Sequence, residues 1–214
     1  MHSSSSNMIE LPQEYLRRVD ETDDAIFYSQ PRIVKHIDDP ACSALTDYFR
    51  EVLPPNGVIL DLMSSYASHL PEDIDYKGVV GLGMNKIELE ANSRLSSYLI
   101  HNLAFNPKLP FDDNTFDACT LTVSVQYLVH PISVFQDIGR VLRPNGPCIV
   151  SFSNRCFPTK AVCIWHQLTH MEHAQLVAHY FDGSEVFSPS ETADISPNPG
   201  NTDPLTVVWA KSLN

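Results

Sequence analysis

Three histidines in the C-terminal part of the chain have a spacing that suggests metal binding or proton transfer. His166, His170 and His173 follow at intervals of four and three residues, so a single helix would place them on one face. A structural zinc site needs four ligands, commonly with cysteine, and no partner pair has suitable spacing, so no metal site is predicted. Since histidine titrates near neutral pH, His173 or His166 is a candidate general base. The alternative is a polar helix face that happens to carry histidines.

A polar segment at 151–160 offers a second set of candidate residues. Arg155 and Lys160 have the chemistry to bind a carboxylate or phosphate, with Asn154 beside them, and arginine suits bidentate pairing. The alternative for these charges is an ordinary solvated surface.

The hydrophobic pattern predicts an α/β fold that brings these segments to one sheet edge. Apolar runs that do not alternate are typical of buried parallel strands, and they occur at 58–62, 78–82, 97–101, 116–123 and 148–153. Helices are predicted at 40–53, 86–91, 130–142 and 159–181, the last broken near His170, and a short helix after the loop 64–70. Two later strands, at 185–194 and 205–210, are predicted to form an antiparallel hairpin.

Composition excludes several classes of protein. With 14 Lys and Arg against 26 Asp and Glu, the net charge of −12 disfavours nucleic-acid binding, which needs clustered basic residues. The apolar runs are too short to cross a bilayer. The odd number of cysteines, five, favours reduced thiols and a cytoplasmic location. Residues 1–7 are interpreted as a tag remnant or disordered terminus.

Two motifs flank the predicted fourth strand and the helix that follows it. Residues 109–117 read LPFDDNTFD and residues 140–146 read RVLRPNG, which mark an acidic turn and a helix stop within a βαβ unit. These two motifs resemble those of the class I S-adenosylmethionine-dependent methyltransferases, of the type 11-like group. The resemblance implies one Rossmann-like, doubly wound domain over 56–214, after an N-terminal arm and helix at 8–55. It implies a mostly parallel seven-stranded sheet with an antiparallel C-terminal edge hairpin.

The same resemblance implies where S-adenosyl-L-methionine would bind. Ligands of such folds lie outside the carboxyl ends of the strands. The family's first strand ends in an acidic residue and alternating glycines, matched here by Asp61 but replaced by Met63, Ser65 and Ala67. Gly83 stands where the family has a ribose-binding acid, and Glu88 is expected to be solvated. The implied cofactor residues are Asp61, Met63, Ser64, Ser65, Gly83, Met84, Asn85, Asn102, Leu103, Ser124 and Val125. Of these, Asn85, or the backbone beside Gly83 and Met84, would take over the ribose, and Asn102 would bind the adenine amino group.

The resemblance also implies the side that would bind a methyl acceptor. Gln126 and Tyr127 follow the fourth strand and would line the reaction centre, Tyr127 as a catalytic candidate. Tyr28 and Arg32, with His36 and Asp38, would close over it as an arm.

The predicted function is methyl transfer to a small-molecule acceptor, with the oligomeric state left open. One alternative is a non-catalytic protein of the same fold acting as a binding or scaffold module, because the cofactor glycines and the second-strand acid are missing. A nicotinamide enzyme is disfavoured because no G-x-G-x-x-G follows the first strand.

Overall fold

The computed structural model describes residues 11–213, so the prediction for residues 1–7 lies outside the described part. Its centre is a seven-stranded sheet of order β3-β2-β1-β4-β5-β7-β6. β1 to β5 run parallel, and β7 pairs antiparallel with both β5 and β6. The predicted fold class is therefore confirmed. The strands are β1 Val58–Ser64, β2 Gly78–Gly83, β3 Ser97–Ile100, β4 Ala118–Thr122, β5 Pro147–Phe152, β6 Glu191–Asp194 and β7 Thr206–Lys211.

Six α-helices flank the sheet within the described residues, and side chains set several of their ends. Asp38 accepts a hydrogen bond from the Ala41 N–H at the start of the second helix. Thr169 and Glu172 form a capping box that starts a new helix after Leu168, which explains the predicted break near His170. The helices are α1 Asp24–Phe27, α2 Asp39–Val52, α3 Lys86–Ala91, α4 Pro131–Val141, α5 Cys163–Gln167 and α6 His170–Ser184.

Both faces of the central strands are buried. Leu60, Leu121 and Val150 pack on the side of α4 and α6, and alternate residues of the same strands, such as Ile59 and Ile149, pack on the side of α2. A strand covered on both faces needs apolar residues at successive positions, which accounts for the continuous runs in the sequence.

Two crossovers at the β3 side of the sheet contain no helix. Residues 65–77 connect β1 to β2 as an irregular loop, so the predicted short helix is wrong. Ser68 and Asn92 explain the difference: the Ser68 hydroxyl donates to Asp61, and the Asn92 amide donates to the Ser65 carbonyl and the Ser68 hydroxyl. These side-chain bonds compete with helical backbone pairing. Residues 101–117, between β3 and β4, are also non-helical.

The N-terminal arm, residues 11–38, covers this end of the sheet instead. Its Arg18 forms a backbone bridge with Val162, and the Asp20 N–H donates to the Thr159 carbonyl. The arm is thus joined to the segment after β5. Within the described part of the chain, no helix has the length and hydropathy needed to cross a membrane.

Candidate functional site

A cavity of about 330 Å³ opens at the carboxyl ends of the parallel strands, beneath the N-terminal arm. It lies where the strand order reverses between β1 and β4, the place where doubly wound folds bind ligands. Its size falls within the range of small-molecule sites. The predicted site residues that line it are Tyr28, Arg32, Asp61, Met63, Ser64, Ser65, Gly83, Met84, Asn85, Asn102, Leu103, Ser124, Tyr127 and Arg155.

At the end of β1, Met63 adopts a backbone conformation that glycine usually adopts. Its φ of 56° lies in the left-handed region, and the pairing of β1 with β2 shifts register between Leu62 and Ser64. This bulge brings the Ser64 carbonyl against Gly83, where an added Cβ would overlap the oxygen. A side chain at position 83 is therefore sterically excluded, which explains why the family's acidic residue is missing there.

Asp61 orders the loop after β1 from a fully buried position. Its Oδ2 accepts hydrogen bonds from the hydroxyls of Ser64, at 2.5 Å, and Ser68, at 2.6 Å. Burial raises the pKa of the Asp61 carboxyl to about 6, although these hydrogen bonds oppose the rise. The Asp61 carboxyl therefore holds the loop after β1 in place through hydrogen bonds.

The raised pKa of Asp61 predicts a loss of stability as pH rises. An unfolded aspartate titrates near about 3.9, so between about pH 4 and pH 6 the folded state binds more protons than the unfolded state. The contribution of Asp61 to the free energy of unfolding should fall through this window by about 3 kcal/mol, so the difference in stability between the unaltered protein and Asp61→Asn should change by that amount. Urea titrations of both proteins from about pH 4 to pH 7 measure it. Parallel curves for the two proteins would contradict the assignment.

Asn85 and Asn102 are committed to internal hydrogen bonds. The Asn85 oxygen caps α3, and its amide donates to the carbonyls of Tyr28 and Ser29, at 2.8 and 3.2 Å. The Asn102 oxygen accepts from the N–H groups of Ala104 and Phe105. Because an asparagine oxygen accepts two bonds, the predicted side-chain contacts to ribose and adenine are corrected: both residues shape the wall of the cavity.

Glu88 is the cavity acid that sequence reasoning missed. It was expected to be solvated, but it is only 6% exposed. Its Oε1 accepts the Arg32 N–H at 2.7 Å and its Oε2 accepts the Ser65 hydroxyl at 2.6 Å. Each oxygen retains a lone pair, so the carboxylate can accept two further hydrogen bonds. The only indication of this role in the sequence was the position of Glu88 in the first turn of α3, shortly after Gly83.

Two hydroxyl groups at the end of β4 lack a partner within residues 11–213. The Oγ of Ser124 and the Oγ1 of Thr122 are buried and line the cavity without a hydrogen bond. A buried, unsatisfied hydroxyl is costly unless a ligand or water completes it. Val125, predicted beside them, packs in the hydrophobic core and does not line the cavity.

Aromatic rings form a further part of the cavity wall. Tyr127 stacks on Phe157 with ring centroids 5.8 Å apart, and its hydroxyl accepts the Phe157 N–H at 2.8 Å. Burial raises the pKa of Tyr127 to about 12, so the hydroxyl stays protonated at neutral pH. Tyr127 can donate a hydrogen bond from the cavity wall but is unsuited to act as a base.

Three histidines that were not predicted as catalytic line the cavity: His36, His69 and His101. Burial lowers the pKa of His69 to about 4, and Lys35 and His36 add to the effect. The backbone of His69 is left-handed, with a φ of 55°. Its imidazole is neutral at physiological pH. Among residues 11–213, no group of three His, Cys, Asp or Glu side chains is arranged to hold a metal ion.

The predicted histidine bases lie elsewhere, because the segment forms two helices. His166 is on α5, where its Nε2 contacts the Pro158 carbonyl oxygen at 2.8 Å. His173 is on α6, stacks on Trp165 with centroids 3.8 Å apart, and bonds the Trp165 carbonyl. Neither lines the cavity, so the expected general-base role is corrected.

Lys160 holds the arm rather than facing the cavity. It is completely buried and contacts Asp24 at 3.0 Å and the Thr22 carbonyl at 2.8 Å. Asp24 also pairs with Arg18 at 2.9 Å, in an ion cluster that anchors the arm. The predicted substrate contact of Lys160 is therefore corrected.

Three further residues were predicted to bind the methyl acceptor, and only one of them lines the cavity. Arg155 lines the cavity, but its Nε donates to both carboxylate oxygens of Asp203, at 2.8 and 2.9 Å. Gln126 is buried beside the cavity, with its amide donating to the Val123 carbonyl. Asn154 is exposed, and like Gln126 it does not line the cavity, which corrects both predictions.

The central part of the chain matches a known family of proteins. A family model described as a methyltransferase domain matches residues 65–150, which span the loop after β1 through β5. The matched segment covers less than half of the chain. Over that segment the chain is similar to a methyltransferase domain, and its strand order is that of the methyltransferase fold.

One curated relative and two solved structures illustrate the likeness. The ubiquinone/menaquinone biosynthesis C-methyltransferase UbiE of Geobacter sp. (strain M21) is 28% identical over 105 residues, which are 46% of this chain and 43% of that protein. The chain thus matches less than half of that relative's length. The [4+2]-cyclase SpnF has a TM-score of 0.58 at 15% identity, covering 79% of this chain and 81% of that one. Haemonchus contortus phosphoethanolamine N-methyltransferase 2, in complex with S-adenosyl-L-methionine, has a TM-score of 0.56 at 12% identity, covering 80% and 52%.

Proposed function

We propose that this protein is an S-adenosylmethionine-dependent methyltransferase acting on a small-molecule acceptor. The observation that carries the proposal is the cavity at the β1–β4 switch point, which combines an accessible carboxylate with unpartnered hydroxyls inside a methyltransferase domain. The relative UbiE, named for ubiquinone and menaquinone biosynthesis, supports a small acceptor.

The residues present fit S-adenosyl-L-methionine. Glu88 would accept both ribose hydroxyls through its remaining lone pairs, replacing the acid that Gly83 excludes. The hydroxyls of Ser124 and Thr122 would gain the partners that they lack. Met84 and Leu103 would flank the adenine with apolar surface. When bound, the cofactor supplies a methyl group on a sulfonium, which is already activated for transfer.

The protein's own contribution is then positioning and exclusion of water. The arm closes the cavity and is fixed by the buried Arg18–Asp24–Lys160 cluster. Tyr28, Tyr127 and Phe157 offer aromatic surface to an acceptor. Holding two reactants in line in such an enclosed site removes much of the entropic barrier.

Substitution of Glu88 tests the cofactor site. Glu88→Gln should weaken binding of S-adenosylhomocysteine about 10- to 100-fold, because charge-assisted hydrogen bonds to the ribose become neutral ones. Titration calorimetry measures the affinity. Glu90→Gln, two residues further along the same helix, is the matched control, since Glu90 contacts Tyr98 and Lys86 outside the cavity. Equal affinities for the two variants would remove Glu88 from the site.

The same titration separates the alternative of a non-catalytic protein that acts as a binding or scaffold module. Met63 and Gly83, standing where glycine and an acid are expected, favour that alternative. The fold does not by itself establish methyl transfer, because the [4+2]-cyclase SpnF shares it. Absence of S-adenosylhomocysteine binding by the unaltered protein would favour the binding module.

All five cysteines are free, which supports the proposal of a cytoplasmic location.

A further inference from the structure

The guanidinium of Arg32 is a cation held in the cavity wall without an acidic partner. Its Cζ lies 4.5 Å from the Phe27 ring centroid and 5.0 Å from that of Phe157. Its amino groups donate to the carbonyls of Phe27 and Gln30, at 3.2 and 3.4 Å. Within residues 11–213 no carboxylate approaches this group within ion-pair distance. Stacking and carbonyl bonds fix its orientation, while its remaining N–H groups are free for an anion.

The imidazole of His36 lies in the same wall. Its ring meets Phe157 edge-on, with centroids 5.6 Å apart, and within the described residues neither ring nitrogen has a hydrogen-bond partner. The charged and titratable groups around it are Glu88 on α3, Arg32 and Lys35 on the arm, and His69 on the β1–β2 loop.

These groups leave His36 able to accept a proton at neutral pH. Burial lowers the pKa of His36; Arg32 lowers it further and Glu88 opposes this. A neutral imidazole with a free nitrogen lone pair is a competent base.

Resting on the proposed function, we infer that the methyl acceptor is a planar weak acid, a phenol or enol, deprotonated by His36 and held as its anion by Arg32. The proton moves from the acceptor O–H to the imidazole, and its electron pair stays on the acceptor. The nucleophilic atom of that anion forms a bond to the methyl carbon while the carbon–sulfur bond breaks and its electrons pass to sulfur. The proton then leaves the imidazole for solvent. The Tyr127–Phe157 stack matches a planar ring.

Ionisation of 4-nitrophenol tests this assignment without requiring turnover, because its phenolate absorbs visible light. The probe is added to the protein saturated with S-adenosylhomocysteine, at a pH where the free phenol is mostly protonated. The ratio of phenolate to phenol should rise about tenfold on binding, as expected for one charge-assisted hydrogen bond. Arg32→Gln and His36→Gln should each lower that ratio towards the free value, and Arg32→Lys should retain part of it.

Arg94→Gln is the matched control and should behave as the unaltered protein. Arg94 also stacks on an aromatic ring, Tyr76, and donates to a carbonyl, but it lies outside the cavity. A cooperative urea unfolding curve verifies that each variant is folded.

Three results would overturn the inference. The unaltered protein could bind S-adenosylhomocysteine without any rise in phenolate, or Arg32→Gln could leave the rise unchanged. Arg32→Gln could also lose affinity for S-adenosylhomocysteine alone, which would assign the guanidinium to the cofactor carboxylate. Failure of the unaltered protein to bind S-adenosylhomocysteine would instead refute the proposed function.

Discussion

Asp24→Asn should lower the free energy of unfolding by about 3 kcal/mol or more, because it leaves two cations buried without their shared carboxylate. The side chains of Arg18 and Lys160 are 8% and 0% exposed, and both contact Asp24 at about 3 Å. The amide keeps the shape of the carboxylate but removes its charge. Among residues 11–213, Lys160 would retain only Asp20, at 3.3 Å, as an acidic partner.

Urea denaturation measures this loss as a lower midpoint with an unchanged slope. Glu21→Gln provides the control on the same arm. Its ion pair with Arg17 is exposed and screened by solvent, so its loss should leave the urea midpoint close to that of the unaltered protein. Because the cluster anchors the arm, limited proteolysis should also cut Asp24→Asn within residues 11–38 sooner than Glu21→Gln. Similar midpoints for the two variants would contradict an anchoring role for the cluster.

Gly83→Asp, which restores the residue typical of the family, should damage the protein instead of improving cofactor binding. Any Cβ at this position overlaps the carbonyl oxygen of Ser64, a backbone atom that cannot move without breaking the β1–β2 pairing. Overpacking costs about 1 to 3 kcal/mol, and we expect the upper end of this range where the added atoms meet backbone. The same shift would displace the Ser65 hydroxyl from Glu88, so affinity for S-adenosylhomocysteine should fall as well.

Gly78→Ala is the control within the same strand. Its added Cβ would meet the Ser96 hydroxyl at 3.4 Å, an ordinary contact, so the free energy of unfolding should change by less than about 1 kcal/mol. Denaturation curves and calorimetric titrations of both variants check the prediction. A Gly83→Asp protein that is as stable as Gly78→Ala, or binds more tightly than the unaltered chain, would show that the bulge at Met63 is not rigid.

Sequence reasoning located the rim of the cavity better than the roles of its residues. Asp61 lies near the end of one predicted strand, and Ser124 and Tyr127 follow another. All three line the cavity because parallel strands end at one sheet edge. The functions assigned to side chains failed where a neighbour distant in sequence takes their hydrogen bonds. Asn85, for example, donates to carbonyls of the arm 56 and 57 residues away.

The histidines show the same limit. A helical spacing was read across residues 166–173, but the capping box of Thr169 divides the segment and separates His166 from His173. His36 and His69 could not be paired from the sequence, because nothing local to either residue indicates that the arm folds back over the loop after β1.

The amino-acid sequence alone determined the order of the strands and of most helices along the chain, the buried parallel sheet and the methyltransferase resemblance. These follow from local hydrophobic runs, caps and turn residues, which act over a few positions. Only the tertiary structure decided that Glu88 faces the cavity, that Lys160 is a buried anchor and that His36 lies beside Arg32. Those outcomes depend on contacts between segments far apart in the chain, such as the 56 residues separating Arg32 from Glu88, and on the bulge that excludes a side chain at Gly83.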